Sequence, residues 1–405
     1  METACYQGFT PSLVPSGVGQ MHTPFSERIF RTKRKNSRNP FIYGHFRLKK
    51  YFEIFLKFIE KRAKICYNDK KVNLRYDGDT MILKRIPDNL KTDIDMFRSA
   101  RKDNKVLFFS ADSGMGKTYA ALSYCAKNKD SLYFSFRHIS AELALKTFAE
   151  RYPGVFKNCT MWAEFFDCLK IYGKEKHPTV FFDDVGARND KTDFYVALKN
   201  FLDENPSCDV LVVLIGRPWD HVEIPCQTIS ISPYSTQEIA ETPSVSDKDS
   251  VDIFCLSAGI TELLSLYDTS VSFEENVKAL LHINSPFYRL MKDKMRECFR
   301  TPESYNTLLY AMVNGYNRIS ELSAFSGYPK NKCDKYVKTL YEFGLVRKEP
   351  EKNGHTKYYP ANSYIALWYK ILMTAIPNAD GSFGGDVYDR FMQYFNCLLY
   401  TSDAA

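Results

Sequence analysis

Paired cysteines, long apolar runs and a strong net charge are all missing from this chain of 405 residues. Its eleven cysteines are spread singly without a C-x-x-C pair, and no histidine cluster has zinc spacing, so neither a metal site nor a disulfide framework is indicated. No apolar stretch approaches the roughly 20 residues that span a bilayer, and the N-terminus lacks the order of a signal peptide. The net charge of +7 does not by itself require a polyanionic partner. We therefore expect a soluble cytoplasmic protein without a membrane partner.

What the chain does have is one stretch around which the rest is organised, VLFFSADSGMGKTYAA at 106–121. It is typical of a buried strand, a glycine-rich loop and a helix start, and its spacing is that of a Walker A motif with Ala111 at the usual first glycine. Glycines let backbone N–H groups converge on phosphates. Lys117 supplies a charge for those phosphates and Thr118 an oxygen for Mg²⁺. The predicted nucleotide-binding residues are Ala111, Asp112, Ser113, Gly114, Met115, Gly116, Lys117 and Thr118, and the alternative is a plain glycine turn between a strand and a helix.

Four more apolar runs predict strands at 131–136, 179–186, 209–218 and 227–232, with amphipathic helices between them. Near-continuous rather than alternating apolar residues favour a parallel sheet that is covered on both faces. The predicted fold class is α/β, a P-loop NTPase parallel sheet with a helical lid, followed by an α+β winged helix domain. Ligands of such sheets bind at the carboxyl ends of the strands.

Two acids and one arginine follow these strands. Asp183 and Asp184 end the third strand, where Asp183 can hold Mg²⁺ through water, together with Thr118, and Asp184 can orient an attacking water. Arg217 follows the fourth strand, and it either reads the terminal phosphate or forms an ordinary ion pair. The predicted catalytic residues are thus Asp184 and Arg217. The alternative for Asp183 and Asp184 is that they only form a solvated end of the strand.

We divide the chain into a flexible basic arm (1–40), a P-loop NTPase domain with an N-terminal helical region (41–235), a helical lid (236–301), a winged helix (302–360) and the start of a C-terminal domain (361–405). In 302–360, helical spacing predicts three helices, the last with 337, 340, 341 and 343 on its inner face, and a two-stranded wing. Positive charge gathers there, and the predicted DNA-binding residues are Lys330, Lys332, Lys335, Lys338 and Lys348. The same winged helix could instead contact a protein.

The closing CLLYTSDAA resembles translated adapter read-through, from which we expect a final domain that is truncated.

These motifs, in this order, resemble the archaeal-type P-loop ATPases of the STAND class, relatives of the AAA+ fold, over 39–372. The resemblance is carried by NPFIYG (39–44), ADSGMGKT, VFFDDV, SAGITELL (257–264), the winged helix sequence and SYIALWYKIL. It implies bound ATP and Mg²⁺ at Lys117, Thr118 and Asp183, a sensor role for Arg217, and nucleotide-dependent switching. The choice of ATP over GTP rests on this resemblance alone.

Three departures from the family pattern bear on activity. Asp184 stands where a longer Glu is common, which favours slow hydrolysis, and Thr261 stands where the lid motif commonly has a proline. If this protein had the nuclease-like C-terminal domain of many members, we expect that domain to be missing or cut here, since Asp386 and Asp389 form no recognisable metal-binding set. The leading hypothesis is an ATP-binding, slowly hydrolysing switch whose nucleotide state is coupled to a winged helix that binds duplex DNA or a partner protein; a homo-oligomer is a further possible partner. The alternatives are a DNA-binding regulator or a scaffold with structurally bound, non-hydrolysed ATP.

Overall fold

The computed structural model describes residues 81–402 except 101–104, 137–138, 158, 188–190, 243–244 and 352–353. All of these belong to one compact unit of the chain. The predicted basic arm (1–40) and the motif at 39–44 lie outside the described residues. Within the described part, no helix is both long and apolar enough to cross a bilayer.

Five parallel strands form the central sheet, and all five predicted strands are confirmed. They are β1 (Val106–Ser110), β2 (Leu132–Ser135), β3 (Thr179–Asp183), β4 (Leu211–Gly216) and β5 (Gln227–Ser230), in the spatial order β2-β3-β4-β1-β5. β4 pairs with β1 on one side and with β3 on the other, both in parallel. The glycine-rich loop after β1 and the acids after β3 are therefore separated by one strand at the carboxyl edge of the sheet.

Helices cover both faces of this sheet. α1 (Met81–Ser99) and α2 (Lys117–Lys127) pack on one face, and α3 (Ala141–Arg151), α4 (Trp162–Lys176) and α5 (Lys191–Glu204) on the other. The second face is rich in aromatic rings, with Phe134 of β2 at 4.5 Å from Phe148 and 5.3 Å from Phe165 between ring centroids. Such edge-to-face and tilted ring pairs add to the stabilisation from buried area. Coverage on both faces explains why β1 to β4 are almost entirely apolar, whereas β5, at the edge of the sheet, is mostly exposed and more polar.

The lid contains five helices: α6 (Thr236–Ala240), α7 (Asp247–Ser257), α8 (Thr261–Leu264), α9 (Phe273–Leu280) and α10 (Pro286–Cys298). Serine side chains define three of the helix starts, because Ser235, Ser246 and Ser272 each form a capping box with the acid three residues later. α10 begins with Pro286 after Ser285, a sequence that suits the first turn of a helix.

Residues 303–360, which we call the helix–ribbon unit, follow the order predicted for a winged helix. α11 (Glu303–Val313), α12 (Ile319–Ser326) and α13 (Lys330–Glu342) precede the antiparallel strands β6 (Val346–Pro350) and β7 (Thr356–Pro360). Leu340 lies inside, as predicted, but Tyr341 is 44% exposed. Its ring instead lies 4.5 Å from the Lys348 ammonium. Residues 337, 340 and 341 share one helix face, so Tyr341 lies at the border of that face, where its ring is covered by Lys348 rather than by the core.

The last helices share an apolar core with the lid and the helix–ribbon unit. α14 (Ser363–Leu367) runs into one π-helical turn (Trp368–Leu372), and α15 (Gly385–Ser402) follows. Tyr364 is buried against Phe287 of α10, with ring centroids 5.1 Å apart, and its hydroxyl donates to the Phe287 carbonyl oxygen at 2.8 Å. The C-terminal helices therefore hold α10 in position relative to the helix–ribbon unit.

Candidate nucleotide-binding site

The glycine-rich loop joins β1 to the N-terminus of α2, as its sequence predicts. Gly114 and Gly116 have φ of 81° and 82°, a left-handed conformation that favours glycine. Lys117 begins α2 and its ammonium donates to the carbonyl oxygens of Ala111 at 2.7 Å and Asp112 at 2.8 Å. Burial lowers the pKa of Lys117, and the nearby Asp183 and Asp112 carboxylates only partly offset this. The Lys117 ammonium thus lies over the glycine-rich loop, in a position where it can bind an anion that is held by the loop amides.

The two predicted Mg²⁺ ligands are in direct contact. The Thr118 hydroxyl donates to Asp183 Oδ2 at 2.7 Å, and Tyr133 of β2 donates to the same oxygen at 2.6 Å. Asp183 Oδ1 accepts from the Asp184 amide at 2.9 Å. Burial, with the neighbouring Asp184 charge, raises the pKa of Asp183, although these three hydrogen bonds act in the opposite direction. A buried carboxylate beside a hydroxyl is a donor set that suits a divalent cation such as Mg²⁺.

Asp184 leaves the sheet rather than continuing it. Its φ of 60° is left-handed, a conformation that is tolerated by Asp better than by most residues, so β3 ends at Asp183 and not at 186. The Asp184 side chain is exposed, and its Oδ2 accepts from the Ser135 hydroxyl at 3.2 Å. Asp184 is therefore held at the sheet edge beside Asp183, as the prediction requires, and its catalytic role stays a prediction.

Arg217 lies directly after β4 and is engaged by the lid. Its guanidinium contacts the Glu297 carboxylate of α10 at 3.1 Å. The Arg217 amide donates to Asp220 Oδ2 at 2.7 Å, which turns the chain away from β4. Of the two roles that the sequence left open for Arg217, the structure contains the ion pair.

The lid packs directly on the glycine-rich loop. The Glu262 amide of α8 donates to the Gly114 carbonyl oxygen at 2.8 Å, and the Thr261 hydroxyl donates to the Met115 carbonyl oxygen at 3.3 Å. A Cβ on Gly114 would lie 3.2 Å from Glu262 Oε2, so this loop residue has little free space. Burial raises the pKa of the Glu262 carboxyl group. The segment around Thr261, where the sequence predicted a lid motif, thus touches the glycine-rich loop.

Two further charged contacts tie α10 to the same loop. Lys294 lies 3.2 Å from the Asp112 carboxylate, and Glu297, one turn later, accepts from the Ser113 hydroxyl at 3.3 Å. Lys294 is 11% exposed, so its ammonium is largely removed from water. Of the eight predicted loop residues, Asp112 and Ser113 therefore contact the lid through their side chains, and Gly114 and Met115 through their carbonyl oxygens.

The predicted DNA-binding lysines do not share one environment. Lys330, Lys335 and Lys338 are exposed on α13. Lys332 is half-buried, with its ammonium 4.2 Å from the Tyr328 ring centroid. Exposed Lys348 on β6 lies over the Tyr341 ring. Two of the five ammonium groups are therefore engaged by aromatic rings of the helix–ribbon unit, and the three exposed lysines of α13 are the better candidates for contact with phosphates.

Sequence reasoning missed the residues that touch the site from other elements: Tyr133, Ser135, Glu262, Lys294 and Glu297. A spacing signal existed for two of them, since Lys294 and Glu297 are three residues apart and so share a helix face. Tyr133 could not be found without the pairing of β2 with β3, in which Ser135 pairs with Asp183. No cluster of three metal-ligating side chains is present among the described residues.

No protein-family model and no curated protein matches this chain. Solved structures do match it. The Thermotoga maritima RuvB Holliday junction branch migration motor has 13% identity and a TM-score of 0.36 over 73% of this chain and 95% of that chain. A Drosophila ORC bound to DNA has 11% identity and a TM-score of 0.33 over 72% of this chain and 99% of that chain. These matches support no inference about this chain, because their TM-scores are low. The P-loop NTPase fold of this chain follows from its own strand order and from the glycine-rich loop between β1 and α2.

Proposed function

We propose that this protein is an ATP-binding, slowly hydrolysing molecular switch of the STAND type, with nucleotide state coupled to a winged helix that binds DNA or a partner protein. One observation carries this proposal: the Thr118 hydroxyl and the buried Asp183 carboxylate meet at 2.7 Å beside the Lys117 ammonium. A buried acid, a hydroxyl and a cation that converge after a glycine-rich loop are suited to a phosphate chain with its cation.

Each residue has a separate part in the proposed reaction. Backbone N–H groups of the glycine-rich loop and Lys117 would bind the phosphates. Mg²⁺, held by Thr118 and Asp183, would neutralise phosphate charge. Asp184 would accept a hydrogen bond from the attacking water and orient it, and Arg217 would stabilise charge on the terminal phosphate. The Asp184 side chain is one methylene shorter than Glu, which supports slow rather than rapid hydrolysis.

Coupling to the helix–ribbon unit has a physical basis in the lid. Thr261 and Glu262 contact the loop, and α10 is continuous with an apolar core that includes α11 and α13. A change at the loop can therefore be transmitted through packed elements with discrete arrangements. Exposed Lys330, Lys335 and Lys338 favour DNA as the partner of α13, through contacts with phosphates.

The test is phosphate release from MgATP by the purified protein, with and without duplex DNA. We expect slow release that is abolished by Lys117→Ala and Asp183→Ala and that is changed by DNA. ATP binding without turnover in either condition would instead identify a scaffold. No ATP binding at all would refute the nucleotide site.

A second function, a DNA-binding regulator in which ATP only stabilises the fold, is favoured by the exposed lysines of α13. It predicts a duplex affinity that falls steeply with salt and is unaffected by Lys117→Ala. A duplex affinity that changes with bound nucleotide would favour the switch over this regulator.

A further inference from the structure

A single carboxylate oxygen bridges the sheet and the lid. Glu297 Oε2 contacts both the Arg217 guanidinium at 3.1 Å and the Ser113 hydroxyl at 3.3 Å. Arg217 follows β4 and Ser113 lies in the glycine-rich loop, so Glu297 joins two segments at the carboxyl edge of the sheet. Both groups are hydrogen-bond donors, and both are turned toward an anion of the protein itself.

A phosphate group is an anion that competes for the same two donors. Charged hydrogen bonds from a guanidinium favour carboxylate and phosphate oxygens alike, because both match its planar fork. Arg217 is 22% exposed and Glu297 is 40% exposed, so this ion pair is partly open to water and can be displaced. A nucleotide at the loop would bring its terminal phosphate toward donors that Glu297 already holds.

The end of β4 and the end of α10 are also joined by aromatic rings, through a shared contact with Phe343. Trp219, two residues after Arg217, lies 4.9 Å from Phe343 at the end of α13. Phe299, two residues after Glu297, lies 5.3 Å from the same Phe343 ring. An ion pair therefore joins the end of β4 to α10, and the ring contacts extend from both to the end of α13, the helix that carries four of the predicted DNA-binding lysines.

We propose that Glu297 is a carboxylate latch: it holds Arg217 and Ser113 to the lid until a nucleoside triphosphate displaces it from them and so frees α10 to move. This latch depends on the proposed nucleotide site. It adds to that site an internal carboxylate, Glu297, that competes with the terminal phosphate for Arg217 and Ser113. Lys294 and Asp112 remain as a second attachment between α10 and the loop, so displacement of Glu297 loosens the lid without detaching it. The ring contacts to Phe343 carry the movement to α13.

The first test compares ATP and ADP affinity of the wild type with that of Glu297→Gln, which keeps the shape of the side chain and removes its charge. Loss of a partly exposed competing ion pair predicts ATP binding that is about two- to fivefold tighter. ADP affinity should change by less than twofold, because ADP lacks the terminal phosphate predicted to meet Arg217. Glu303→Gln is the matched control, since it removes the same charge at an exposed site on α11.

The second test measures the position of α10 without relying on turnover. Cys298 is half-buried next to the latch, and burial raises the pKa of its thiol to about 11. We expect ATP to increase the rate at which a thiol reagent labels Cys298 in the wild type by several-fold. In Glu297→Gln the faster labelling should be present without nucleotide. Buried Cys255 in the lid core serves as the internal reference that should not change.

The outcomes separate the latch from the site on which it depends. No ATP binding by any variant would refute the proposed nucleotide site and the latch with it. Equal ATP affinities of the wild type and Glu297→Gln would refute the latch alone. Cys298 labelling that is unchanged by ATP and by Glu297→Gln would also refute it, because the lid would then not move.

Discussion

Gly259, at the turn between α7 and α8, lies where the lid meets the core of the protein. Its φ is 70°, and a Cβ at this position would lie 2.1 Å from the Tyr234 carbonyl oxygen. The Tyr234 amide also donates to the Gly259 carbonyl oxygen at 2.9 Å. A methyl group at Gly259 therefore cannot be accommodated by a side-chain rotation, since the atom in its way belongs to the backbone. Gly259→Ala must shift the turn that places Thr261 and Glu262 on the glycine-rich loop.

The size of this effect can be estimated in two parts. A left-handed conformation costs a residue with a Cβ about 1–2 kcal/mol. Displacement of the Tyr234 carbonyl and weakening of the backbone hydrogen bond add about 1–2 kcal/mol. Gly259→Ala should thus lower the free energy of unfolding by about 2–4 kcal/mol, a fall in Tm of roughly 2–5 °C for a protein of this size.

Gly327, at the end of α12, supplies a matched control. Its φ is 71°, but nothing lies within 4 Å of a Cβ built there. Gly327→Ala should therefore lower the free energy of unfolding by the conformational part alone, about 1–2 kcal/mol. Thermal and urea unfolding of both variants measures the difference, and ATP titration should show weaker binding for Gly259→Ala only. Equal losses of stability in the two variants would refute the close approach at Tyr234.

Three further predictions concern separate parts of the protein. Tyr133→Phe removes one of two donors that fix Asp183 Oδ2, so the Mg²⁺ concentration for half-maximal phosphate release should rise about two- to tenfold, and an unchanged requirement would contradict this. Hydrogen bonds from Arg318, with a contribution from Lys357, lower the pKa of Glu351 from its ordinary value of 4.5 to about 2. A carboxyl group whose pKa is lower in the folded than in the unfolded protein stabilises the fold fully at pH values above 4.5, and this stabilisation is lost as the pH falls to about 2. The Tm difference between wild type and Glu351→Gln should therefore be full at pH 7 and shrink from about pH 4.5 to about 2; a difference that does not vary with pH would count against the ion pairs. If α13 binds duplex DNA, replacing Lys335 and Lys338 by Gln should reduce the salt dependence of binding by about one logarithmic unit of slope per lysine, and an unchanged slope would remove them from the interface.

Strands β1 to β4 could be predicted from the sequence because each is an apolar run bounded by polar or turn residues, whereas the more polar edge strand β5 was indicated by its β-branched residues. Their ends could not. β4 was predicted over 209–218 and spans Leu211–Gly216, since the Arg217 amide bonds to the Asp220 side chain rather than to a neighbouring strand. β3 ends at Asp183 because Asp184 takes a left-handed conformation. Side-chain hydrogen bonds and single backbone angles of this kind leave no periodic pattern.

The candidate site was only partly predictable, for a similar reason. Lys117, Thr118 and Asp183 belong to short motifs whose spacing reflects a local geometry, and the fold brings Thr118 and Asp183 into contact. Glu297 and Lys294 belong to no such motif, because their positions depend on how α10 docks against the sheet across about 180 residues of sequence separation. That docking is decided by the packing of apolar side chains, and a single sequence does not reveal which polar residues it brings together.

The measurement that tests the nucleotide site most directly is the thermal stabilisation of the purified protein by MgATP, for the wild type and for Lys117→Met. Met removes the ammonium that contacts the Ala111 and Asp112 carbonyl oxygens and keeps most of the side-chain length. At an ATP concentration about 100 times the Kd, binding stabilises the wild type by about 2.7 kcal/mol. We predict a clear rise in Tm for the wild type and little or none for Lys117→Met. An equal rise in both proteins, or no rise in the wild type, would contradict nucleotide binding at the glycine-rich loop.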